Sequence, residues 1–489
     1  MHYMIERLEQ VTAENPGATL VASRTMRLTA QELLDSAKRF GVWLRRQGIS
    51  EGNLVALDVE PELQIVLTYA CYLAGLESCI PPRIPGLIHE IGCSAVISWR
   101  EQEHHAGVKF IQMRPEVLVE TASYSGAQIS ESISSNLVGN VFFSSGTTGR
   151  VKGIRVTAED LELRVDASKR QRMFGNYMSL IGLGTYVGFI TMLGQTTSGK
   201  PYYIGGDAGA NLKLIKTQNI DTILGSPVQL EELLDKAVES GVKLNLARVQ
   251  SGGLGLSRKL AERLSNETGA EISSYYAATE VGMAAKKTRG WQDEALVGDV
   301  LEGVKVQIVG EDSKPLPDGQ IGRIRIATGA RAKAYLHASK GIASEIKGDW
   351  FYPGDYGFLT GRSLSLSGRE FELVNAGGVK VNLMDLDRVV QDHPGVSDAA
   401  AFTFRSEGGV VTLGVAFVSK MPISGPTLKD FCVNRLGASA PSTFLRVSSI
   451  PRGELSKPNR QELSTQFSET LKNYSQNLES NVEPSISDN

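Results

Sequence analysis

The sequence predicts an α/β protein with a large N-terminal domain of layered α/β subdomains and a β-rich subdomain, followed by a smaller α+β domain. Three observations support this. The 489 residues are too many for one ordinary hydrophobic core. Helix and strand patterns alternate along the N-terminal part. Short runs with a two-residue period then replace them around residues 304–375, before a second mixed stretch.

The first elements follow from local signals. Thr29 and Glu32 form a capping box that opens a helix, and Leu33 to Leu44 place apolar side chains on one of its faces. Gly48 ends this helix. A strand (NLVALDVE), a helix through Ile65–Ala74 and a second strand (SAVIS) follow, and the same alternation returns at DTILGSP and RVQSGG.

The later segments have a different pattern of apolar and polar residues. VKVQIVG, GRIRIATG and SLSLSG alternate apolar and polar residues, which predicts a β-meander. We expect domains at 1–367 and 368–467. The polar composition of residues 468–489 predicts a disordered tail.

Composition excludes some classes of function. Lys and Arg number 51 against 54 Asp and Glu, with 41% hydrophobic and 21% charged residues, so nucleic acid is not expected as a main partner. The four cysteines lack C-x-x-C spacing, and the N-terminus lacks an apolar signal region. These features predict a cytoplasmic protein.

One uncharged segment, 176–199, is long enough to cross a bilayer. Its five glycines and many Ser and Thr residues disfavour that interpretation. We expect a buried strand and helix there, and no stable membrane insertion.

The most informative segment runs from Val141 to Gly153, where an apolar strand enters a loop of glycines, hydroxyls and one lysine. Such a loop can bind phosphates through backbone N–H groups, hydroxyls and a cation. It is not a Walker A loop, because Val151 and Gly153 flank Lys152. A flexible surface turn is the alternative. The candidate phosphate-binding residues are Ser144, Ser145, Gly146, Thr147, Thr148, Gly149, Lys152 and Gly153.

This segment resembles the phosphate-binding signature of the ANL adenylating superfamily, which contains acyl- and aryl-CoA synthetases, nonribosomal adenylation domains and luciferases. Three further segments are similar to the family's motifs and stand in its order: Tyr276–Glu280, Phe351–Asp355 with Gly368 and Arg369, and Pro451–Arg460. The likeness covers nearly the whole chain except the tail and is nearest to acyl-CoA synthetases.

The resemblance implies an ATP-dependent, Mg²⁺-dependent ligase that forms an acyl adenylate from a small carboxylic acid and passes the acyl group to a thiol. The acceptor would be CoA or the phosphopantetheine of an acyl or peptidyl carrier protein. Two alternatives stay open: an enzyme that passes the acyl group to an amine, and a catalytically silent homologue that binds nucleotide.

It also implies roles for single residues, each of which alone would more often be a turn residue or a solvated charge. The smaller domain would be mobile and would deliver a catalytic lysine. The implied roles are adenine stacking for Tyr276, α-phosphate binding for Thr279, Mg²⁺ binding for Glu280 and Thr147, ribose binding for Asp355, nucleotide contact for Arg369 and charge stabilisation for Lys457.

The same resemblance implies an acyl pocket with no acid near Thr185, where amino-acid-activating relatives have an Asp. A buried ammonium group without a partner is costly, so we expect an uncharged acyl or aryl acid. Gly377 and Gly378 would leave room for the thiol arm. The pocket residues are Thr185, Phe189, Ser226, Gly253, Leu254, Ala277 and Met283.

Some positions depart from the family pattern. Phe371 replaces the usual Asp or Lys of the hinge, and Ala277 and Ser456 replace glycines. The segment GLIHEIGCSAVIS is shorter than usual. None of these changes removes a charged catalytic group.

Overall fold

The computed structural model describes residues 2–82, 84, 86–100, 107–126, 129, 138–145, 151–171, 175–293, 295–332, 334–336, 346–369, 373–376, 379–405, 411–419, 421–437, 440–452 and 458–467. The chain divides into two compact units. The larger one contains Met1–Pro353 and Phe358–Leu366, and the smaller one Gly354–Gly357 and Ser367–Asn489. The predicted tail, 468–489, lies outside the described residues.

The helices of the larger unit are α1 (Tyr3–Glu14), α2 (Ala30–Arg46), α3 (Pro61–Ala74), α4 (Leu87–Glu90), α5 (Pro115–Ala122), α6 (Ala158–Arg170), α7 (Tyr186–Thr196), α8 (Ala208–Thr217), α9 (Pro227–Glu239) and α10 (Arg258–Thr268). Its strands, of which the last two also contain residues of the smaller unit, are β1 (Thr19–Ala22), β2 (Arg27–Thr29), β3 (Leu54–Asp58), β4 (Glu77–Cys79), β5 (Ala95–Ser98), β6 (Lys109–Gln112), β7 (Gly139–Ser145), β8 (Val151–Thr157), β9 (Tyr177–Ser179), β10 (Tyr202–Tyr203), β11 (Thr222–Gly225), β12 (Arg248–Ser251), β13 (Glu271–Ala278), β14 (Gly282–Lys287), β15 (Leu296–Val300), β16 (Val304–Val309), β17 (Gly322–Thr328), β18 (Ala334–Leu336), β19 (Ile346–Lys347), β20 (Trp350–Phe351), β21 (Asp355–Thr360) and β22 (Ser363–Arg369).

A seven-stranded sheet, in the order β18-β8-β7-β4-β3-β5-β6, lies in the N-terminal part. The pairs β3–β4, β3–β5, β5–β6 and β4–β7 are parallel. Helix α2 packs closely on α3, and its capping box is present as predicted, because Thr29 Oγ1 accepts from Glu32 N and Glu32 reaches back to Thr29 N. Parallel strands covered by such helices are buried on both faces, which explains their continuous apolar runs.

A second, larger sheet follows the order β19-β20-β17-β21-β22-β15-β14-β13-β12-β11-β9, with β16 paired to β17. Strands β9, β11, β12 and β13 are parallel, whereas the pairs β13–β14, β14–β15, β15–β22, β16–β17, β17–β20 and β19–β20 are antiparallel. The predicted meander is wrong, because β17 lies between β20 and β21 and β22 pairs with β15, so many neighbours in the sheet are not consecutive in the chain. A three-stranded sheet, β10-β1-β2, completes this unit. The layered α/β fold with a β-rich part is therefore confirmed.

The smaller unit contains α11 (Leu383–Gln391), α12 (Gly425–Leu436), β23 (Leu373–Ala376), β24 (Val379–Asn382), β25 (Asp398–Arg405), β26 (Val411–Val418) and β27 (Thr443–Arg446). β25, β26 and β27 form one sheet, and β23 pairs with β24. Its apolar core joins Leu386 and Val390 of α11 to Val415 of β26 and Leu428 of α12. This unit is the predicted α+β arrangement.

The uncharged segment 176–199 forms β9 and the eleven-residue helix α7, as predicted. Among the described residues, no helix combines the length and the apolar character that crossing a bilayer demands.

Candidate nucleotide and acyl site

The phosphate-loop segment is a hairpin of the seven-stranded sheet. β7 and β8 pair antiparallel, with Ser144 opposite Lys152. A Cβ at Gly153 would meet side-chain atoms of Leu336 and Val141 at 3.3 Å each, which is tighter than ordinary van der Waals contact. The hairpin thus fixes both ends of the loop. The loop tip and the Ser145 side chain lie outside the described residues, and with them Gly146, Thr147, Thr148 and Gly149.

Lys152 is buried beside the aromatic ring of Tyr335. Its Nζ lies 5.6 Å from the centre of that ring, within the range of a cation–π contact. The Tyr335 hydroxyl donates to Glu280 Oε1 at 3.1 Å. Lys152 is 4% exposed and Glu280 6%. One tyrosine of β18 therefore contacts both the predicted polyphosphate lysine and the predicted metal carboxylate.

The turn that carries Thr279 and Glu280 connects β13 to β14 and is held by Arg164 of α6. The guanidinium donates to the carbonyl oxygens of Thr279 at 2.8 Å, Glu280 at 3.0 Å and Ala330 at 2.8–2.9 Å. Ala332 N also donates to the Glu280 carbonyl at 2.7 Å. These bonds occupy main-chain atoms, so the backbone of the turn is fixed without using the side chains predicted to bind ligand.

Arg164 is 2% exposed, and its guanidinium carbon lies 4.8 Å from the centre of the Tyr186 ring. Burial raises the pKa of the Tyr186 hydroxyl, and the Arg164 charge opposes this effect. Burying a guanidinium is costly unless its N–H groups are paired. Here the N–H groups are paired with the three carbonyl oxygens, and the Tyr186 ring lies against the guanidinium.

The remaining predicted nucleotide residues occupy strands. Tyr276 is partly buried, and the β13–β14 register shifts between Tyr276 and Ala277, which re-aims successive side chains. Asp355 is the first residue of β21 and is 2% exposed. Arg369 is the last residue of β22, and its side chain lies outside the described residues.

Two predicted acyl-pocket hydroxyls are occupied by helix capping. Thr185 Oγ1 accepts from Gly188 N at 3.1 Å and donates to Gly182 O at 2.9 Å. Ser226 Oγ accepts from Gln229 N at 3.3 Å in a capping box that opens α9. Both hydroxyls stabilise helix starts.

The other predicted pocket residues differ in surroundings. Phe189 is 2% exposed, with its ring edge-on to Phe142 at 5.2 Å, so it supports strand β7. Gly253 is exposed at φ +89°, a conformation that favours glycine, and Leu254 beside it is partly exposed. Ala277 lies opposite Met283 in the β13–β14 pair. Met283 packs against a buried cluster of Tyr177, Ile181, Leu224 and Tyr275.

In the smaller unit, the residues on either side of 453–457 pair with each other. Arg452 and Pro458 form a β-bridge. Arg452 Nη2 contacts Asp398 at 2.7 Å, and Arg460 makes a forked contact to Asp387 at 2.7 and 3.1 Å. The predicted residues of this unit that lie outside the described part are Lys457, Gly377, Gly378 and Phe371.

The part of the chain that the structure describes holds no group of three or more His, Cys, Asp or Glu side chains placed to bind a metal. A Mg²⁺ ion that accompanies ATP needs only one or two carboxylates, because substrate phosphates and water provide its other oxygen ligands. The buried Glu280 carboxylate, which shares Tyr335 as a neighbour with Lys152, fits that donor set.

The family model for AMP-binding enzymes matches residues 8–336, which include both the phosphate hairpin and the Thr279–Glu280 turn. The chain belongs to this family. The sequence-based assignment is therefore confirmed.

Relatives of this AMP-binding enzyme include several ligases and synthases. A 4-chlorobenzoate–CoA ligase from an Arthrobacter species is 24% identical over 473 residues, covering 89% of this chain and 90% of that enzyme. Tyrocidine synthase 3 from Brevibacillus parabrevis is 22% identical over 496 residues, which cover 94% of this chain and 8% of that protein. This chain therefore matches a single segment of the synthase.

The fold is shared with solved structures. An O-succinylbenzoate coenzyme A synthetase from Bacillus subtilis in complex with AMP superposes with a TM-score of 0.82 at 18% identity, covering 94% of this chain and 97% of that one. The same synthetase has been solved with ATP and a magnesium ion.

Sequence analysis missed Arg164 and Tyr335 of this AMP-binding enzyme. Arg164 lies in a helix rich in charged residues, and nothing local distinguishes it from a solvated arginine. Tyr335 stands in the short run Ala334–Leu336 without a recognisable pattern. The capping roles of Ser226 and Gln229, by contrast, had a signal in their three-residue spacing.

Proposed function

We propose that this AMP-binding enzyme is an ATP-dependent, AMP-forming ligase, which activates a carboxylic acid as an acyl adenylate and transfers the acyl group to a thiol. The observation that carries the proposal is the contact of Tyr335 with both Lys152 and Glu280. A buried cation and a buried carboxylate against one side chain can bind a polyphosphate and its metal ion together.

The residues would act mainly by offsetting charge. A carboxylate that attacks the α-phosphorus of ATP approaches a polyanion, so donors and cations must reduce the repulsion. Lys152 and the phosphate hairpin would bind the polyphosphate, Thr279 the α-phosphate and Lys457 the attacking carboxylate. Glu280, with Thr147, would hold Mg²⁺, which neutralises phosphate charge when bound. Tyr276, Asp355 and Arg369 would bind the nucleoside.

The relatives support a thiol as acceptor. One is a CoA ligase, and another is a nonribosomal peptide synthase, of which this chain covers 19%. CoA and a carrier-protein phosphopantetheine share the reactive thiol, so we propose either as acceptor, with Gly377 and Gly378 on its path. The four free cysteines are consistent with a cytoplasmic location.

An acid panel with ATP and Mg²⁺ tests the proposal. We expect AMP and pyrophosphate as products, and pyrophosphate exchange into ATP with the correct acid. Glu280→Gln should raise the Mg²⁺ concentration needed for half-maximal exchange, whereas Glu271→Gln, an exposed change at the start of β13, should not. Formation of ADP and inorganic phosphate would contradict the proposal.

A further inference from the structure

Two polar side chains lie buried near the carboxyl ends of β12 and β13. Gln250 is 1% exposed, and its Nε2 donates to the Tyr275 hydroxyl at 3.3 Å. Gln250 Oε1 is also buried, and among the residues that the structure describes it has no hydrogen-bond partner. A buried amide oxygen without a partner is unfavourable, so this atom needs a donor from outside the described chain.

The position of Gln250 points to a ligand-binding edge. β9, β11, β12 and β13 are parallel and end at the same edge, where ligands of α/β sheets bind. Gln250 is followed by Ser251 and then by the turn that contains Gly253. It lies opposite Leu224 of β11 in the register, so both side chains project from the same face of the sheet.

That face carries the cluster against which Met283 packs. The cluster contains Leu224, Tyr177 and Tyr275, the tyrosine bonded to Gln250. Met283 belongs to the proposed acyl pocket. An unbranched, flexible methionine can move aside for a ligand, and the Gln250 oxygen lies on the sheet face whose cluster Met283 contacts.

The charged groups around Tyr275 are of both signs, and Lys286 Nζ lies 5.6 Å from the centre of the Tyr275 ring. Burial raises the pKa of Tyr275 to about 12, with a hydrogen bond from Ser273 opposing it. The charges of Glu271 and Arg248 act on the Tyr275 pKa in opposite directions. The Tyr275 hydroxyl therefore stays protonated at neutral pH, next to charges of both signs.

Tyr177 adds a second hydroxyl to this surface. Burial raises its pKa well above the ordinary value, and the Thr191 hydroxyl opposes this effect. Thr191 itself donates to the Val187 carbonyl at 2.8 Å. Within the described ranges the Tyr177 hydroxyl has no hydrogen bond of normal geometry.

We propose that the acid activated by this enzyme carries an uncharged hydrogen-bond donor, a hydroxyl, at its distal end, and that Gln250 Oε1 accepts its hydrogen bond. Tyr275 and Tyr177 provide hydroxyls beside it. The inference rests on the proposed ligase function and specifies the substrate class of the same site. Gln250 is thus a specificity-determining residue, because a site built to bond a hydroxyl discriminates against the analogue without it.

The inference can be tested by measuring ATP-dependent hydroxamate formation with matched pairs of acids that differ in one hydroxyl. Benzoate is compared with its three monohydroxy isomers, and hexanoate and octanoate are compared with their ω-hydroxy forms. We expect kcat/KM to be at least about tenfold higher for a hydroxylated member. Equal kcat/KM values for both members of every pair overturn the inference while leaving the ligase function intact. If no acid yields AMP, the ligase proposal itself fails and the inference fails with it.

Substitutions test whether Gln250 causes the preference for the hydroxylated acid. Gln250→Met should lower the hydroxyl preference, which is the ratio of kcat/KM for the hydroxylated acid to kcat/KM for the unsubstituted acid, by about tenfold. Gln307→Met, in β16, is the matched control and should keep the preference. If Gln250→Met does not fold, Tyr177→Phe and Tyr275→Phe with the same pairs replace it, and each should lower the preference. An equal loss for both members of a pair contradicts a specificity role.

Discussion

The Tyr335 hydroxyl donates a hydrogen bond to Glu280 Oε1 at 3.1 Å, and the ring of the same residue lies 5.6 Å from Lys152 Nζ. The two contacts use different parts of one side chain. β18, which carries Tyr335, pairs with β8 of the phosphate hairpin. Substitutions can therefore separate the effect on the carboxylate from the effect on the lysine.

Tyr335→Phe keeps the ring and removes the hydrogen bond to Glu280. Because a hydrogen bond to a charged group contributes about 1.5–3 kcal/mol, we expect adenylation to slow by about tenfold or more and the Mg²⁺ requirement to rise. Tyr335→Leu also removes the ring and should raise the KM for ATP. Pyrophosphate exchange at varied Mg²⁺ and ATP measures both effects.

Tyr203→Phe is the control for this pair, since Tyr203 lies in β10 of a different sheet. This substitution should change the Mg²⁺ requirement and the KM for ATP by less than about twofold. Parental values for Tyr335→Phe would show that the hydroxyl does not orient Glu280, and equal values for Tyr335→Phe and Tyr335→Leu would show that the ring does not act on Lys152.

Arg164→Leu removes the donors that hold the Thr279–Glu280 turn. Leaving buried carbonyls without partners should lower the free energy of unfolding by about 1–3 kcal/mol. Arg164→Lys should recover part of this loss but not the forked geometry. Urea denaturation measures the change.

The exposed pair Arg258–Glu262 offers the control, and Arg258→Leu should change stability by about 0.5 kcal/mol or less. A similar, small effect at Arg164 would mean that the turn is held by other contacts.

Lys457→Ala should slow adenylate formation by about 10²–10³-fold, the scale for loss of one donor to developing charge. Thioester formation from supplied acyl-AMP should suffer far less, as expected if the smaller domain moves between the half-reactions. Lys429→Ala, an exposed change in α12, is the control. Equal damage to both half-reactions would argue against such a movement.

We predict that the lowered pKa of His2 makes the stability of the protein depend on pH. It is 2% exposed, stacked on Tyr72, and burial lowers its pKa to about 3. The unfolded chain, with the ordinary value near 6.5, then binds the proton more readily, so stability is lost as the pH falls below about 6.5. Between pH 7.5 and pH 5 the loss should be about 2 kcal/mol.

His2→Asn can still cap α1 by accepting from Met4 N, but it does not titrate, so this part of the pH dependence should disappear. Denaturation at pH 7.5 and pH 5 measures the difference, with exposed His89→Gln as the control. An unchanged pH dependence in His2→Asn would assign it to other groups.

Local signals predicted much of the fold. The capping box of Thr29 and Glu32 placed the start of α2, and apolar runs placed β3, β5 and β11. These elements are set by contacts within a few residues or by burial on both faces, and such causes leave a pattern in a single sequence.

The site was only partly predictable. Arg164 bonds carbonyls far along the chain, at Thr279 and Ala330, and a carbonyl acceptor exists at every residue, so no partner type marks the contact in the sequence. The unsatisfied oxygen of Gln250 is likewise a property of packing. Motif order predicts which residues bind ATP, but it does not predict which residues hold them in position.

β18 and the segment just before it have a practical consequence for building hybrid enzymes. β18 pairs with β8 of one sheet, while Ala332 donates to the turn after β13 of the other. A crossover that takes Arg164, Glu280 and Tyr335 from different parent enzymes would combine side chains that do not contact each other in either parent. Junctions placed after Leu336 keep all three from one parent, and such recombinants should retain adenylation more often.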